Sequence, residues 1–240
     1  MTEFDIAKPH EYDHRHADVS SGWLRATVFG AMDGLVSNVG LIAGIAAAGA
    51  SPGMVAVTGI SGLIAGAISM ALGEFTSVRT ANEQLDAEVR TEREAHSRNP
   101  AGEQAELALL FERLGMEPTV AGTAAGQVHA NSEQAVRVHL SHELGLSPEE
   151  KPSPWVAAIS SLASFSVGAL IPILPFLFGF GTLGWGLAFG GVGLLLAGAL
   201  AARITRRSWF AGAIRQLIFG GIAVAATFTI GKLLDVSAIG

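Results

Sequence analysis

The sequence predicts an all-α membrane protein with five transmembrane helices and a helical cytoplasmic module between the second and third. Three observations predict it. Half of the 240 residues are hydrophobic and 15% are charged, against about one-quarter charged in an ordinary soluble domain, and the mean hydropathy is +0.43. The apolar residues gather into five stretches, near 24–49, 54–78, 155–179, 181–203 and 212–234. Each is close to the roughly 20 residues that carry a helix across about 30 Å of hydrocarbon. The spans are helices because isolated strands would leave backbone groups unpaired in lipid. Charge is concentrated elsewhere: residues 79–152 hold 13 Asp and Glu against 7 Lys and Arg, while the rest of the chain holds 8 of each. One acidic segment therefore carries the whole net charge of −6. That sign argues against a nucleic-acid partner, whose phosphates need basic residues, and favours a cationic one. The chain has no cysteine, which excludes disulfides, thiolate metal sites and cysteine nucleophiles.

The expected division is a polar cytoplasmic tail (1–22), transmembrane helices one and two (23–79), the acidic module (80–152) and transmembrane helices three to five (153–236). The tail, "MTEFDIAKPHEYDHRHADVSSGW", has no apolar signal-peptide core and is expected to stay on the side where it is made. Its His10, His14 and His16 are either metal collectors or part of a disordered polar segment.

Span one holds the first anomaly, "AMDGLVSNVGL", which sets Asp33 in an otherwise uncharged run. A carboxylate at that depth faces a cavity, a partner or a pathway; structural pairing with Asn38 or an arginine is the competing explanation. At helical spacing Gly30, Asp33, Gly34, Ser37, Leu41 and Gly44 share a small, polar face. Span two has a matching face of Gly62, Gly66, Met70, Glu74 and Ser77, in which Gly62 and Gly66 form a GxxxG that permits close helix contact. Asp33 and Met70 lie about nine and eight residues, or roughly 13 and 12 Å, from the cytoplasmic ends of antiparallel spans. Asp33, Met70 and Glu74 thus trace a possible transport pathway for a cation, and the thioether tilts it toward softer divalent metals than Ca²⁺ or Mg²⁺. Taken singly, Met70 also reads as packing and Glu74 as an interfacial residue.

Span two is expected to run unbroken into the module, because no Gly or Pro interrupts 74–99 and the residues are good helix formers. Asn99–Pro100 then caps and restarts the chain. Further helices are expected at about 100–114, stopping at Gly115, at about 118–129, and at about 132–144 between Asn131 and Gly145. On these helices Glu88, Glu92 and Glu94 sit near one another, Glu103 and Glu106 are three apart, and His139, His142 and Glu143 cluster. Carboxylate with imidazole suits Fe²⁺, Mn²⁺ or Zn²⁺. The same residues also read as an ordinary solvated surface: Glu103 lies in a first helical turn, where negative charge is favoured, and Arg90 and Arg93 interleave the first set.

"SPEEKPSP" (147–154) is a proline-rich hinge into span three, where Pro172 and Pro175 are expected to kink or break the helix. The links "AGASPG" and "GFGTLG" are uncharged, whereas "ARITRRSWFAGAIRQ" between spans four and five is arginine-rich. The positive-inside rule then places the N-terminus, the module and the four–five link in the cytoplasm and the C-terminus outside.

"DGLVSNVGL", "GEFTSV", "HELGL", "GALIPILP" and "RQLIFGGIAVAATFTIG", in this order over about residues 24–234, resemble the vacuolar iron transporter family. The resemblance implies a five-span homodimer with a pore between subunits, moving Fe²⁺, and Mn²⁺ in many members, out of the cytosol in exchange for protons. It implies that Asp33 and Met70 line the pore, and that the module is a metal-binding one using Glu92, Glu103, Glu106 and Glu143. Two positions depart from the family pattern: Ala95, with Glu94 adjacent, stands where a further glutamate is common, and His139 where some members have methionine. The expected ligand set is therefore Glu92, Glu94, Glu103, Glu106, His139 and Glu143. Bound and transported Fe²⁺ or Mn²⁺, protons and membrane lipid complete the expected partners, with no organic cofactor. No nucleophile–base pair or phosphate loop supports an enzyme. The competing functions are a membrane-anchored metal-binding or sensing protein without transport, and an uncoupled metal channel. A short chain without a targeting segment suits a bacterial inner membrane, with a vacuole-type membrane as the alternative.

Overall fold

The computed structural model describes residues 23–143 and 151–234; the tail histidines lie outside them. The described residues are almost entirely helical. α1 (Trp23–Ala47) and α2 (Pro52–Arg98) are followed by three shorter helices, α3 (Pro100–Arg113), α4 (Pro118–His129) and α5 (Ser132–Glu143). Then come α6 (Pro154–Leu170), the single turn α7 (Leu174–Leu177), α8 (Leu183–Ile204) and α9 (Trp209–Leu233).

Among the described residues, four helices are long and apolar enough to cross a membrane: α1, α2, α8 and α9. The stretch expected as span three is not one helix. α6 has 17 residues and stops at Leu170, and the chain turns through Ile171–Ile173 before α7. The reason is the pair Pro172 and Pro175, which supply no backbone N–H. The expected break is thus present.

α1 is the axis of the bundle, packed against α2, α6, α8 and α9. Its approach to α6 is limited by backbone rather than side chains. A Cβ on Gly34 would lie 2.3 Å from the Phe165 carbonyl oxygen, and one on Gly168 2.2 Å from that of Ala31. At its other end α1 meets α9 in the same way: a Cβ on Gly231 would lie 2.1 Å from the Gly44 carbonyl oxygen. Small residues let backbones close to this distance, which is how helices gain contact in lipid, where the hydrophobic effect does not hold them together. The Gly62/Gly66 pair of α2 is used inside the chain: Gly62 abuts Leu41 of α1, and Gly66 abuts the Phe165 ring of α6.

One buried polar side chain ties three helices. Asn38 of α1 is 2% exposed. Its Nδ2 donates to the Gly59 carbonyl of α2 at 3.2 Å and to the Ala169 carbonyl of α6 at 2.7 Å. The break makes the second bond available, because Ile173 N–H bonds to Leu170 instead of to Ala169. Among the described residues Asp33 pairs with neither Asn38 nor an arginine and accepts from the Ser37 hydroxyl at 3.1 Å.

α2 runs 47 residues without interruption, about 70 Å. Asn99 ends it and caps α3 by accepting from the Gly102 N–H, with Pro100 in the first turn. α3 ends before Gly115, whose φ of +98° suits glycine. Glu117 caps α4 by accepting from the N–H groups of Thr119 and Val120. These bonds, with that from the Thr119 hydroxyl, hold the Glu117 carboxyl below its ordinary pKa. Leu107, Phe111, Ala121 and Ala125 form the core between α3 and α4. The return segment lies along α2: Lys151 pairs with Asp86, Asn82 donates to the Pro152 carbonyl, and Trp155 meets Phe75 edge to face.

Gly168→Ala is expected to cost about 1–3 kcal/mol, since the α1 backbone must move to admit the methyl. Asn38→Ala is expected to cost a similar amount, roughly 1–3 kcal/mol. Gly122→Ala, where nothing lies within 4 Å, is expected to be neutral or stabilising. Thermal melts of the purified chain in detergent check all three; an unchanged Gly168→Ala melt would refute the backbone contact.

Candidate metal centre

The module gathers side chains from three helices. Glu92 lies near the end of α2, Glu103 in the first turn of α3, and His139 in α5. Each offers one donor atom within 4.8 Å of the others. His139 Nδ1 lies 3.6 Å from Glu92 Oε1 and 4.0 Å from Glu103 Oε2. Two donors each about 2.1 Å from a shared ion are at most about 4.2 Å apart, so a small contraction closes this group around a divalent metal. Their burial matters as much as their spacing: the His139 side chain is fully buried and the two carboxylates are 15% and 16% exposed. Like charges gathered in such a place are stabilised by a cation between them. The Asn99–Pro100 reversal creates the arrangement, because it folds the first turn of α3 back beside the last turns of α2.

The other expected ligands are placed differently. Glu94 lies two residues, about 200° of helix rotation, from Glu92 and so points away from the group. It accepts instead from Arg98 at 2.9 Å on the exposed surface. Glu106 is exposed on α3, one turn past Glu103. Glu143 ends α5, and its side chain is outside the described residues. Arg93 of α2 and Glu133 of α5 pair at 2.8 Å, clasping the two helices that carry Glu92 and His139.

Two histidines that the sequence reading passed over lie beside the group. His96 is buried on α2 and His129 closes α4. The His129 ring centroid is 5.1 Å from that of His96 and 5.3 Å from that of His139. Burial holds His129 below the ordinary histidine pKa; the neighbouring His139 and His96 push the same way, against the Ala125 hydrogen bond and the Glu103 charge. A signal existed for His96: it is four residues after Glu92, the same spacing that marks His139 and Glu143.

Within the bundle, Asp33, Met70 and Glu74 take different partners. Asp33 is half-buried and bonds Ser37. Met70 packs against the cluster of Ala67, Phe165 and Ala169. Glu74 is buried and accepts from Arg25 Nη2 at 2.8 Å, joining the start of α1 to α2.

A sequence model of the VIT family matches residues 24–232. The chain is 34% identical over 233 residues to the vacuolar iron transporter of Acanthamoeba castellanii, covering 92% of this chain and 82% of that protein. It is 31% identical over 240 residues to vacuolar iron transporter 1 of Oryza sativa subsp. japonica, covering 96% and 94%. With vacuolar iron transporter homolog 1 of Arabidopsis thaliana it shares 30% over 238 residues, covering 97% and 90%.

In the full-length chain Glu92→Gln, Glu103→Gln and His139→Ala are each expected to weaken Mn²⁺ or Fe²⁺ binding by about tenfold or more. Glu94→Gln is expected to leave it unchanged. Calorimetric titration of the detergent-solubilised protein checks this, and full affinity in the first three variants would remove those residues from the centre.

Proposed function

This chain belongs to the VIT family, and on that premise we propose that it exports Fe²⁺, and Mn²⁺ as a second substrate, from the cytosol across a membrane in exchange for protons. It is a membrane transporter and not an enzyme. The observation that carries the metal path is the continuity of α2. The helix that bears Met70 and Glu74 within the bundle also bears Glu92 of the carboxylate–imidazole group, about 33 Å away from Met70. A metal gathered by Glu92, Glu103 and His139, with Glu106 exposed one turn beyond Glu103 and Glu143 kept as a further ligand on sequence grounds alone, is held beside one end of the spans. The acidic balance of residues 79–152 raises the local concentration of cations there.

In this reading residues 80–152 form a cytoplasmic module and α6 with α7 makes the third of five spans, its shorter helix completed by the broken segment. The N-terminus is cytoplasmic. Asp33 receives the metal, and a carboxylate in a poorly solvated path can exchange a proton for it. Glu74 guards the entrance: its pair with Arg25 neutralises it until a cation replaces the guanidinium. Asp33 is only half-buried within one chain. Hydrocarbon against it would be costly, whereas a second copy of the chain facing it across a polar path is not. This favours a homodimer with the pathway between subunits. A bacterial inner membrane or a vacuole-type membrane accommodates the same arrangement.

Fe²⁺ entry into proteoliposomes, with and without an acidic interior, tests the proposal. Wild-type uptake is expected to depend on the gradient, and Asp33→Ala is expected to reduce it to the level of empty vesicles. Gradient-independent uptake would indicate a channel. Binding without uptake would indicate an anchored metal-binding protein, with Asp33 structural.

A further inference from the structure

Three imidazoles lie side by side in the module, and only His139 belongs to the carboxylate group. His96 follows Glu92 by one turn of α2 and is 9% exposed. The rings of His96 and His129 are tilted 30° to each other at 5.1 Å, and His129 meets His139 edge-on at 5.3 Å. His96 Nδ1 and His129 Nε2 are both buried without a hydrogen-bond partner. Ring nitrogens withdrawn from water without partners are costly, and a cation between two adjacent rings would satisfy both lone pairs. The other nitrogen of His129 is already committed: Nδ1 lies 3.0 Å from the Ala125 carbonyl oxygen. A neutral ring donating there presents its Nε2 lone pair. A hydrogen bond from the far ring nitrogen to a carbonyl is how metal-binding imidazoles are held in orientation.

We propose that His96 and His129 form a nitrogen-donor position for a divalent transition metal, adjacent to and distinct from the Glu92–Glu103–His139 group. Its chemistry differs from that of its neighbour. Imidazole favours Zn²⁺, Co²⁺, Ni²⁺ and Fe²⁺, whereas carboxylate and water suit Mn²⁺, Mg²⁺ and Ca²⁺. The module therefore holds two metal positions of graded softness, bridged by the edge-on contact of His129 with His139. The proposal rests on the reading of the module as a metal-capturing one; it does not depend on transport.

The test uses the full-length chain in detergent with His10, His14 and His16 replaced by alanine, so that tail histidines do not contribute. Co²⁺ is the probe for the imidazole position and Mn²⁺ for the carboxylate one. His96→Gln with His129→Gln is expected to remove one Co²⁺ per chain and the visible absorption of nitrogen-bound Co²⁺, while Mn²⁺ affinity stays within about twofold. Glu92→Gln is expected to do the reverse, weakening Mn²⁺ by about tenfold or more and keeping the His96–His129 Co²⁺. An unchanged Co²⁺ count and spectrum in a folded double variant would overturn the proposal and leave the carboxylate group standing. Loss of the Co²⁺ with no effect of Glu92→Gln on Mn²⁺ would support the imidazole position and sink the carboxylate one. Should the double variant fail to fold, X-ray absorption on the Co²⁺-loaded parent chain decides. Scattering from two imidazoles at one ion is expected at the His96–His129 position, and an all-oxygen or single-imidazole shell overturns it.

Discussion

The close approach of α1 to its neighbours sets the rest of the architecture. Where Gly34 and Gly168 bring α1 and α6 to backbone contact, and Gly44 and Gly231 do the same for α1 and α9, no side chain separates the helices. In lipid, packing and buried hydrogen bonds must supply the association that the hydrophobic effect supplies in water. Both are present on α1. Asn38 adds the polar part by donating to carbonyls of α2 and α6, one of which is left without its helical partner by the proline break. The break in α6 is thus joined to the packing of α1 and is not merely tolerated. With α6 drawn against α1 and α2, the Phe165 ring reaches Gly66 and the α2 face is committed within the chain.

That commitment orients α2, and α2 orients Glu92 of the candidate metal centre. A helix of 47 residues transmits its rotation from the bundle to its far end, because every residue adds a fixed 100°. The face that turns Glu74 toward Arg25 recurs at Glu92 and His96, 18 and 22 residues later, after five and about six turns. Glu92 and His96 are therefore in register with Glu74, on the same helix, by helix geometry alone. The contacts of the return segment with Asp86 and Asn82 and the Arg93–Glu133 pair hold the smaller helices against this strut.

The ion pair of Arg25 with Glu74 and the half-covered Asp33 illustrate two ways of carrying a carboxylate near hydrocarbon. Glu74 is buried and neutralised inside the chain. Among the described residues Asp33 has a hydroxyl partner and no cationic one.

Much of this was legible in the sequence. Hydropathy marked the long apolar helices, because length and composition suffice to say what crosses hydrocarbon. The caps at Asn99 and the stop at Gly115 were legible because they are local: one side chain and one backbone angle decide them. Glu92, Glu103 and His139 were legible as ligand types on helices. Their meeting was implied by the family resemblance and not by spacing, since it depends on how α3 folds back on α2 and where α5 docks. The same limit explains why Glu94 was grouped with Glu92, although two residues of helix turn it away, and why His96 and His129 went unnoticed. The sequence by itself determined the helices, their ends and the chemistry available on them. Only the tertiary structure decided which side chains share a space, because that depends on how helices cross: backbone contacts at glycine set the crossings of α1 with α6 and α9, and the docking of α3 and α5 on α2 sets the meeting of Glu92, Glu103 and His139.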